Sequence, residues 1–182
     1  MTRISHQAWG VCGVGLLVML VAEVLRTMGL ALYLWGAIWV VGWIALAIGV
    51  GMAVRHRSGW IATAISVVFT LLGLYFAATG ANGSFIAMSS LAVIAVAAEV
   101  TFLVQVALGQ SPGARPDPVP YSMTFALAGV GVILLAGAFA LLANGMPLGF
   151  LSFGFSLGLI ASSVGFGAMT LFRGGATESP LS

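Results

Sequence analysis

Six long apolar segments separated by short polar linkers make up nearly the whole chain. They lie at Trp9–Leu25, Leu30–Val54, Trp60–Thr79, Phe85–Leu108, Ser122–Ala143 and Leu148–Phe172. A helix needs about 20 predominantly apolar residues to cross the hydrocarbon core of a bilayer, and each segment falls within the range seen for such helices. The pattern therefore predicts an all-α integral membrane protein with six transmembrane helices, in a single domain over 1–175.

One linker differs from the short, turn-like others. The segment from Gly109 to Tyr121 reads GQSPGARPDPVPY and contains four of the six prolines. Proline lacks a backbone N–H and fixes φ, so we predict an extended loop in water over 109–121, on the cytoplasmic side. The residues that follow Arg173, 174–182, are predicted to be a disordered tail.

The spacing of glycines favours three copies of one helical hairpin, at about 8–57, 58–109 and 122–173. Gly13 and Gly129 each begin a Gly-Val-Gly sequence within an apolar segment, and a turn glycine follows sixteen residues later, at Gly29 and Gly145. The middle unit has its turn at Gly80. Self-similarity at a regular spacing is the sign of a repeated supersecondary unit.

A division into two inverted three-helix halves is the alternative. It rests on the similarity between Val-Ala-Glu-Val at 21–24 and Ala-Ala-Glu-Val at 97–100. Inverted halves are typical of transporters. The three-hairpin division aligns more of the chain and is the preferred prediction.

Composition supports the membrane assignment, since 61% of the 182 residues are hydrophobic and only 5% are charged. Soluble domains contain about 25% charged residues, so most of this surface must contact lipid. The net charge of +2 is small and scattered, which excludes a nucleic-acid-binding protein. A single cysteine, Cys12, excludes an intrachain disulfide.

The arginines predict the orientation of the chain. Five of them fall on the side of a six-span arrangement that holds both termini (Arg3, Arg55, Arg57, Arg115 and Arg173), and Arg26 falls on the other. The positive-inside rule then places both termini in the cytoplasm, with the protein in a bacterial inner membrane. No small-x-small cleavage site follows the first apolar segment, which we interpret as a retained span.

Glu99, within the fourth span, is the leading candidate for chemistry. An ionised carboxylate at this depth is costly, so the side chain is expected to face the bundle interior. One interpretation is a proton-relay or cation site. The other is a structural, neutral carboxyl hydrogen-bonded to Thr63, Ser66, Thr70 or a backbone carbonyl.

Glu23 and Arg26 are three residues apart and can pair on one helix face. They lie near the outer interface, where long side chains reach the headgroup region. We predict an anchoring ion pair in preference to a substrate site.

Three tryptophans, Trp35, Trp39 and Trp43, recur at every fourth position and form a stripe on the second helix. Such a stripe lines a quinone, pigment or cation pocket, or else packs against lipid or a partner subunit. Packing is the preferred interpretation.

The sixth span has small residues at helical spacing, Gly154, Gly158 and Ser162. Small residues let helix backbones approach closely, which predicts a packing face inside the bundle or between subunits.

Both histidines, His6 and His56, fall outside the predicted spans. A haem or metal in the bundle would have only methionines and Cys12 as ligands, so neither is predicted. A buried serine protease would lack its base. No catalytic residue and no cofactor are predicted, although a bound lipid is compatible with the sequence.

The chain resembles the HdeD-like family of small six-helix bacterial membrane proteins, some of which are linked to acid resistance. The resemblance rests on Gly59-Trp60 at the start of a span, on Thr-Leu-Leu-Gly-Leu at 70–74, and on Gly-Val-Ile-Leu-Leu-Ala-Gly at 131–137. Pro147 supplies the proline that the family often has at a hairpin turn, and the other two turns lack it. The resemblance implies three hairpins with no catalytic residues.

These observations predict a non-enzymatic multi-pass membrane protein, either a stress-related HdeD-like protein or an accessory subunit of a larger membrane complex. The expected partners are the lipid bilayer and either further copies of the chain or other membrane subunits. The alternative is a small proton-coupled transporter or channel that uses Glu99, with Glu23 as a second acid.

Overall fold

The computed structural model describes residues 6–174, with the side chains of residues 32, 33, 82, 173 and 174 excepted, and this part of the chain is helical with short connections and no strand. The helices are α1 His6–Thr27, α2 Leu32–Val54, α3 Arg57–Ala78, α4 Asn82–Ala107, α5 Tyr121–Ala143 and α6 Leu148–Gly174. Each is long and apolar enough to cross a membrane. The predicted all-α, six-helix membrane fold is confirmed. Arg3 and residues 175–182 of the predicted tail lie outside the described residues.

Consecutive helices pair into three hairpins. The most extensive packing joins α1 to α2, α3 to α4 and α5 to α6. At each hairpin turn a glycine adopts a positive φ, which is 84° at Gly29, 74° at Gly80 and 66° at Gly145. Glycine adopts this conformation without the steric cost of a Cβ, which explains the regular turn glycines in the sequence. That the three hairpins are copies of one unit stays a prediction.

The hairpins form an open row with α4 at its centre. Helix α4 packs against α3, α6 and α2, while α1 packs mainly on α2 and α5 mainly on α6. Helices α1 and α5 therefore flank the row at opposite ends. Each of them leaves a broad apolar face towards the surroundings.

Close approach of backbones holds the first hairpin together. A Cβ added to Gly15 on α1 would lie 2.5 Å from the backbone nitrogen of Leu46, and one added to Gly42 on α2 would lie 2.8 Å from the carbonyl oxygen of Gly15. Real Cβ atoms do not approach this closely, so both positions require glycine. Backbone contact of this kind supplies the van der Waals packing that drives helix association in lipid.

Hydroxyl groups connect neighbouring helices inside the bundle. The hydroxyls of Ser156 and Ser163 on α6 donate to carbonyl oxygens of Gly131 and Thr124 on α5, at 2.8 and 2.7 Å. The hydroxyl of Thr63 on α3 donates to the carbonyl of Ala47 on α2 at 3.3 Å. A polar group in lipid must find its partner within the protein, and these groups do so across helix contacts.

The proline-rich loop is fastened to the end of the bundle. Gln105, only 3% exposed at the end of α4, donates from Nε2 to the carbonyl of Ala114 and accepts at Oε1 from the N–H of Gly113. Thr170 on α6 donates to the carbonyl of Val119 at 2.9 Å. Most of the loop is exposed, as its prolines predicted, but Val119 is buried. The loop thus links the C-terminal ends of α4 and α6.

Candidate functional site

Glu99 lies inside the bundle, as its sequence context predicted, and is 4% exposed. Its Oε1 accepts a hydrogen bond of 2.9 Å from the hydroxyl of Ser66 on α3, which is fully buried. Of the three candidate partners, Ser66 makes this bond. The hydroxyl of Thr63 also lies beside the carboxyl, although it donates to the backbone carbonyl of Ala47, and Thr70 donates to that of Ser66. The sequence left these alternatives open because all three residues lie on one face of α3.

The surroundings of Glu99 limit its chemistry. It lies eight residues before the end of α4, about 12 Å along the helix axis. Arg26 forms its ion pair with Glu23, and no arginine whose side chain the structure describes forms one with Glu99. A carboxyl with the hydroxyls of Ser66 and Thr63 beside it can exchange a proton, whereas a bound cation would need further oxygen ligands. The proton-relay, cation and structural interpretations all stay predictions.

Glu23 and Arg26 form the expected ion pair at the end of the bundle where α1 ends and α6 begins. The Nε of Arg26 donates to Oε2 of Glu23 at 3.0 Å, and the carboxylate side chain is 9% exposed. The other carboxylate oxygen, Oε1, accepts from the backbone N–H of Leu148 at 3.2 Å. Leu148 is the first residue of α6, where N–H groups lack partners within the helix and negative charge is favoured.

The bond between Glu23 and α6 was not predicted from the sequence. Helix α6 has no acidic residue in its first turn. The first N–H groups of α6 need a hydrogen-bond acceptor, and the start of this helix supplies no acidic side chain of its own. This shortage indicated that an acceptor would come from another helix. Nothing in the sequence identifies Glu23 as that acceptor, because 125 residues separate the two positions.

The tryptophan stripe faces inward rather than towards lipid. Trp39 and Trp43 are each 5% exposed, and their rings stack with centroids 5.5 Å apart and an interplanar angle of 12°. Neither indole N–H has a hydrogen-bond partner among the described residues. Trp39 and Trp43 therefore pack against the protein interior, and neither packs against lipid. That the stripe serves as a ligand or partner face stays a prediction.

A cavity of about 240 Å³ lies beside this stripe. Helices α2, α3, α4 and the start of α6 line it, its side is partly open, and all of its walls are uncharged. Beyond the three tryptophans, its main lining side chains are Thr70, Leu74, Phe85, Ser89, Val93 and Phe150. The cavity combines aromatic walls with few polar groups, as ligand pockets for apolar molecules do.

A second cavity, of about 320 Å³, lies between α4, α5 and α6. The two cavities share Phe85, Ser89, Val93 and Phe150 as lining residues. Phe85 and Phe150 meet edge to face with centroids 6.2 Å apart. This aromatic pair is thus part of the wall of both cavities.

The small residues of α6 pack inside the bundle. A Cβ added to Gly154 would lie 2.7 Å from Cγ1 of Val96, and one added to Gly158 would lie 2.6 Å from Cβ of Val100, both on α4. Ser162 is buried on the same helix. Of the two locations predicted for this face, the structure places it between α4 and α6.

Arginines gather at the end of the bundle opposite Glu23. Gly113 of the proline-rich loop lies close to Ser58, next to Arg57 at the start of α3. The Nε of Arg115 donates to the sulfur of Met169 on α6 at 3.2 Å. The structure therefore brings Arg55, Arg57 and Arg115 to one end, as the six-span arrangement predicted. Which side of a membrane this end faces stays a prediction.

Among residues 6–174, no group of three or more histidine, cysteine, aspartate or glutamate side chains is placed to hold a metal ion. No family model, no curated protein and no solved structure matches the chain. The resemblance to the HdeD-like family therefore stays a prediction that rests on the residues quoted above. The six apolar helices identify the chain as a multi-pass membrane protein.

Proposed function

We propose that this multi-pass membrane protein is non-enzymatic and acts through association with other membrane proteins. It is either an accessory subunit of a larger membrane complex or a stress-related HdeD-like protein. One observation supports this proposal above others: several hydroxyl groups of the spans bond to neighbouring helices. Ser156, Ser163 and Thr63 all donate to backbone carbonyls across helix contacts, so they serve packing rather than a polar path.

The flanking helices offer the surface for association. Gly10 and Gly13 on α1 are exposed, and a Cβ added to either would meet no other atom within 4 Å. The same is true of Gly137 on α5. Outward-facing glycines leave room for a second helix backbone to approach, which is how helices associate in lipid.

Purification from the native membrane in a mild detergent tests the proposal. We expect one or more membrane proteins in fixed stoichiometry with the tagged chain. Gly10→Leu with Gly13→Leu, or else Gly137→Leu, should remove that partner while helix content by circular dichroism is unchanged. Each of the two variants is the control for the other, because they alter opposite flanks of the row.

Two results together would contradict both forms of the proposal. The first is a monodisperse protein that purifies alone at every detergent concentration tried. The second is equal survival of a deletion strain and its parent in acid medium.

The second candidate is a small proton-coupled transporter or channel that uses Glu99. The observation in its favour is the burial of Glu99 beside the hydroxyl of Ser66, where the carboxyl can gain and lose a proton. Acidic side chains inside membrane spans commonly mark proton or ion pathways. Only two hydroxyls, those of Ser66 and Thr63, lie beside the carboxyl, and this makes the candidate weaker than the first.

Reconstitution in liposomes tests the role of Glu99. If the candidate is right, a pH gradient drives proton uptake in the wild type, and Glu99→Gln reduces it to the level of empty liposomes. Asp117→Asn is the matched control, since it makes the same change from acid to amide in the exposed loop. Absence of uptake in the wild type, or equal uptake by Glu99→Gln, would exclude this function.

A further inference from the structure

Three arginines, which we call the arginine patch, give one end of the bundle a positive charge. Arg55, Arg57 and Arg115 are exposed at this end. Asp117 is the only exposed acidic residue in 6–174, and it lies in the same loop as Arg115. At the other end of the bundle an arginine and a glutamate form an ion pair. Positive charge is therefore in excess at the arginine patch alone.

The charges of the arginine patch are not used within the described part of the protein. The guanidinium groups of Arg55 and Arg57 form no hydrogen bond or ion pair with any side chain that the structure describes. Arg115 donates from Nε to the sulfur of Met169, which is a weak and uncharged acceptor. The patch thus keeps its charge available for an anion from outside the chain, and hydrogen bonds from arginine to an anion are among the strong ones.

The backbone around the patch is fixed by hydrogen bonds. Arg57 begins α3, where the N–H of Ser58 donates to Nδ1 of His56 at 3.3 Å. Arg115 belongs to the proline-rich loop, which the side chain of Gln105 fastens to α4 and which lies against Ser58. Arginines from two segments distant in sequence are therefore held at one end of the bundle before a ligand arrives, and this lowers the entropic cost of binding.

The surface next to the patch is aromatic and then apolar. Trp60, one turn into α3, and Tyr121, the first residue of α5, are both exposed. Tryptophan and tyrosine concentrate at the boundary between a membrane and water, so the patch lies at the level of the lipid headgroups. Further along α3, Ile61, Ile65 and Val68 are exposed. A ligand here meets positive charge at the boundary and an apolar helix face directly beneath it.

An anionic phospholipid matches both parts of this surface. Its phosphate lies at the headgroup level, where the planar fork of an arginine can donate two parallel hydrogen bonds to phosphate oxygens. Its acyl chains lie beneath, along the apolar face. A soluble phosphate would use only the charged part, and a zwitterionic lipid would bring a positive group beside the arginines. Basic clusters next to membrane spans attract anionic lipids for the same reason.

We propose that the arginine patch binds the headgroup phosphate of an anionic phospholipid, with the acyl chains of that lipid along the exposed face of α3. The site uses neither Glu99 nor the exposed glycines of α1 and α5. This proposal and the proposed function therefore stand or fall separately.

Native mass spectrometry of the delipidated protein in a neutral detergent tests the site. The probe is an equimolar mixture of phosphatidylglycerol and phosphatidylcholine. We expect one phosphatidylglycerol per chain to be retained in preference to phosphatidylcholine. Arg57→Gln and Arg115→Gln should each weaken phosphatidylglycerol binding about five-fold, the effect of one basic side chain near a membrane surface. Arg57→Lys keeps the charge and should bind like the wild type.

Arg26→Gln is the matched control, since it makes the same change in net charge at the other end of the bundle and should leave binding unchanged. Equal retention of the two lipids by the wild type, or equal binding by wild type, Arg57→Gln and Arg115→Gln, would overturn the proposal. So would an equal loss in Arg26→Gln and Arg57→Gln, which would assign the attraction to net charge. Displacement by excess inorganic phosphate would assign the patch to a soluble anion instead. Arg115→Gln keeps the test valid if Arg57→Gln fails to fold.

Discussion

Gly158→Leu is expected to lower the free energy of unfolding by about 3 kcal/mol, at the upper end of what overpacking costs. Gly158 lies where α6 crosses α4, and an added Cβ would lie 2.6 Å from Cβ of Val100 and 2.7 Å from the carbonyl oxygen of Ala97. The second of these atoms is backbone, so it cannot move aside by rotating a side chain. The helices must separate, which also strains the hydroxyl contacts along α6.

Unfolding of the purified protein by increasing mole fractions of a denaturing detergent, followed by circular dichroism, measures this effect. Gly137→Leu is the control, because its added side chain projects from α5 into open space. We expect that control to change the free energy by less than about 0.5 kcal/mol, as surface substitutions usually do. Equal stability of Gly158→Leu and wild type would mean that α4 and α6 do not pack as described.

Glu23→Ala is expected to cost about 2 kcal/mol of stability, because it removes two hydrogen bonds of a buried carboxylate. One is the bond to Arg26 and the other is the bond to the N–H of Leu148. Arg26→Ala removes only the first, and its side chain is 25% exposed, so it should cost less than about 1 kcal/mol. Glu23→Gln keeps an acceptor for Leu148 and should fall between the two.

The same detergent titration on these three variants separates the two contributions. The order of stability is expected to be wild type, Arg26→Ala, Glu23→Gln and Glu23→Ala. A Glu23→Ala variant as stable as Arg26→Ala would show that the contact with α6 adds nothing. Thr27→Ala, in the same turn but bonded only to the carbonyl of Val24, is a control for local changes at the end of α1.

The helices were well predicted from the sequence because each one is determined by the apolar residues of its own segment. Each apolar segment is long enough to cross a bilayer, and the predicted spans agree with the observed helices to within a few residues at each end. The positions of the hairpin turns were predicted equally well, because Gly29, Gly80 and Gly145 adopt a positive φ that glycine tolerates best. Gly109 and Gly113 adopt the same conformation in the proline-rich segment.

The sequence did not predict which way the side chains of α2 face. This helix is apolar on all sides, so its periodicity does not distinguish a face towards lipid from a face towards the core. The inward position of Trp39 and Trp43 follows from the packing of α2 against α3 and α4, which is set by residues distant in sequence. The partner of Glu99 could not be chosen among Thr63, Ser66 and Thr70 because all three lie on one face of α3.

The bond between Glu23 and Leu148 joins the first hairpin to the last, and this bears on how the chain is made. During synthesis α1 and α2 enter the membrane long before α6 exists. Until α6 arrives, Glu23 has Arg26 as its partner and keeps one carboxylate oxygen open to water or lipid headgroups. Docking of α6 then satisfies that oxygen and the first N–H of the helix in one step. The synthesis of α6 thus completes a contact whose first half is made by α1, and a chain truncated before α6 leaves it open.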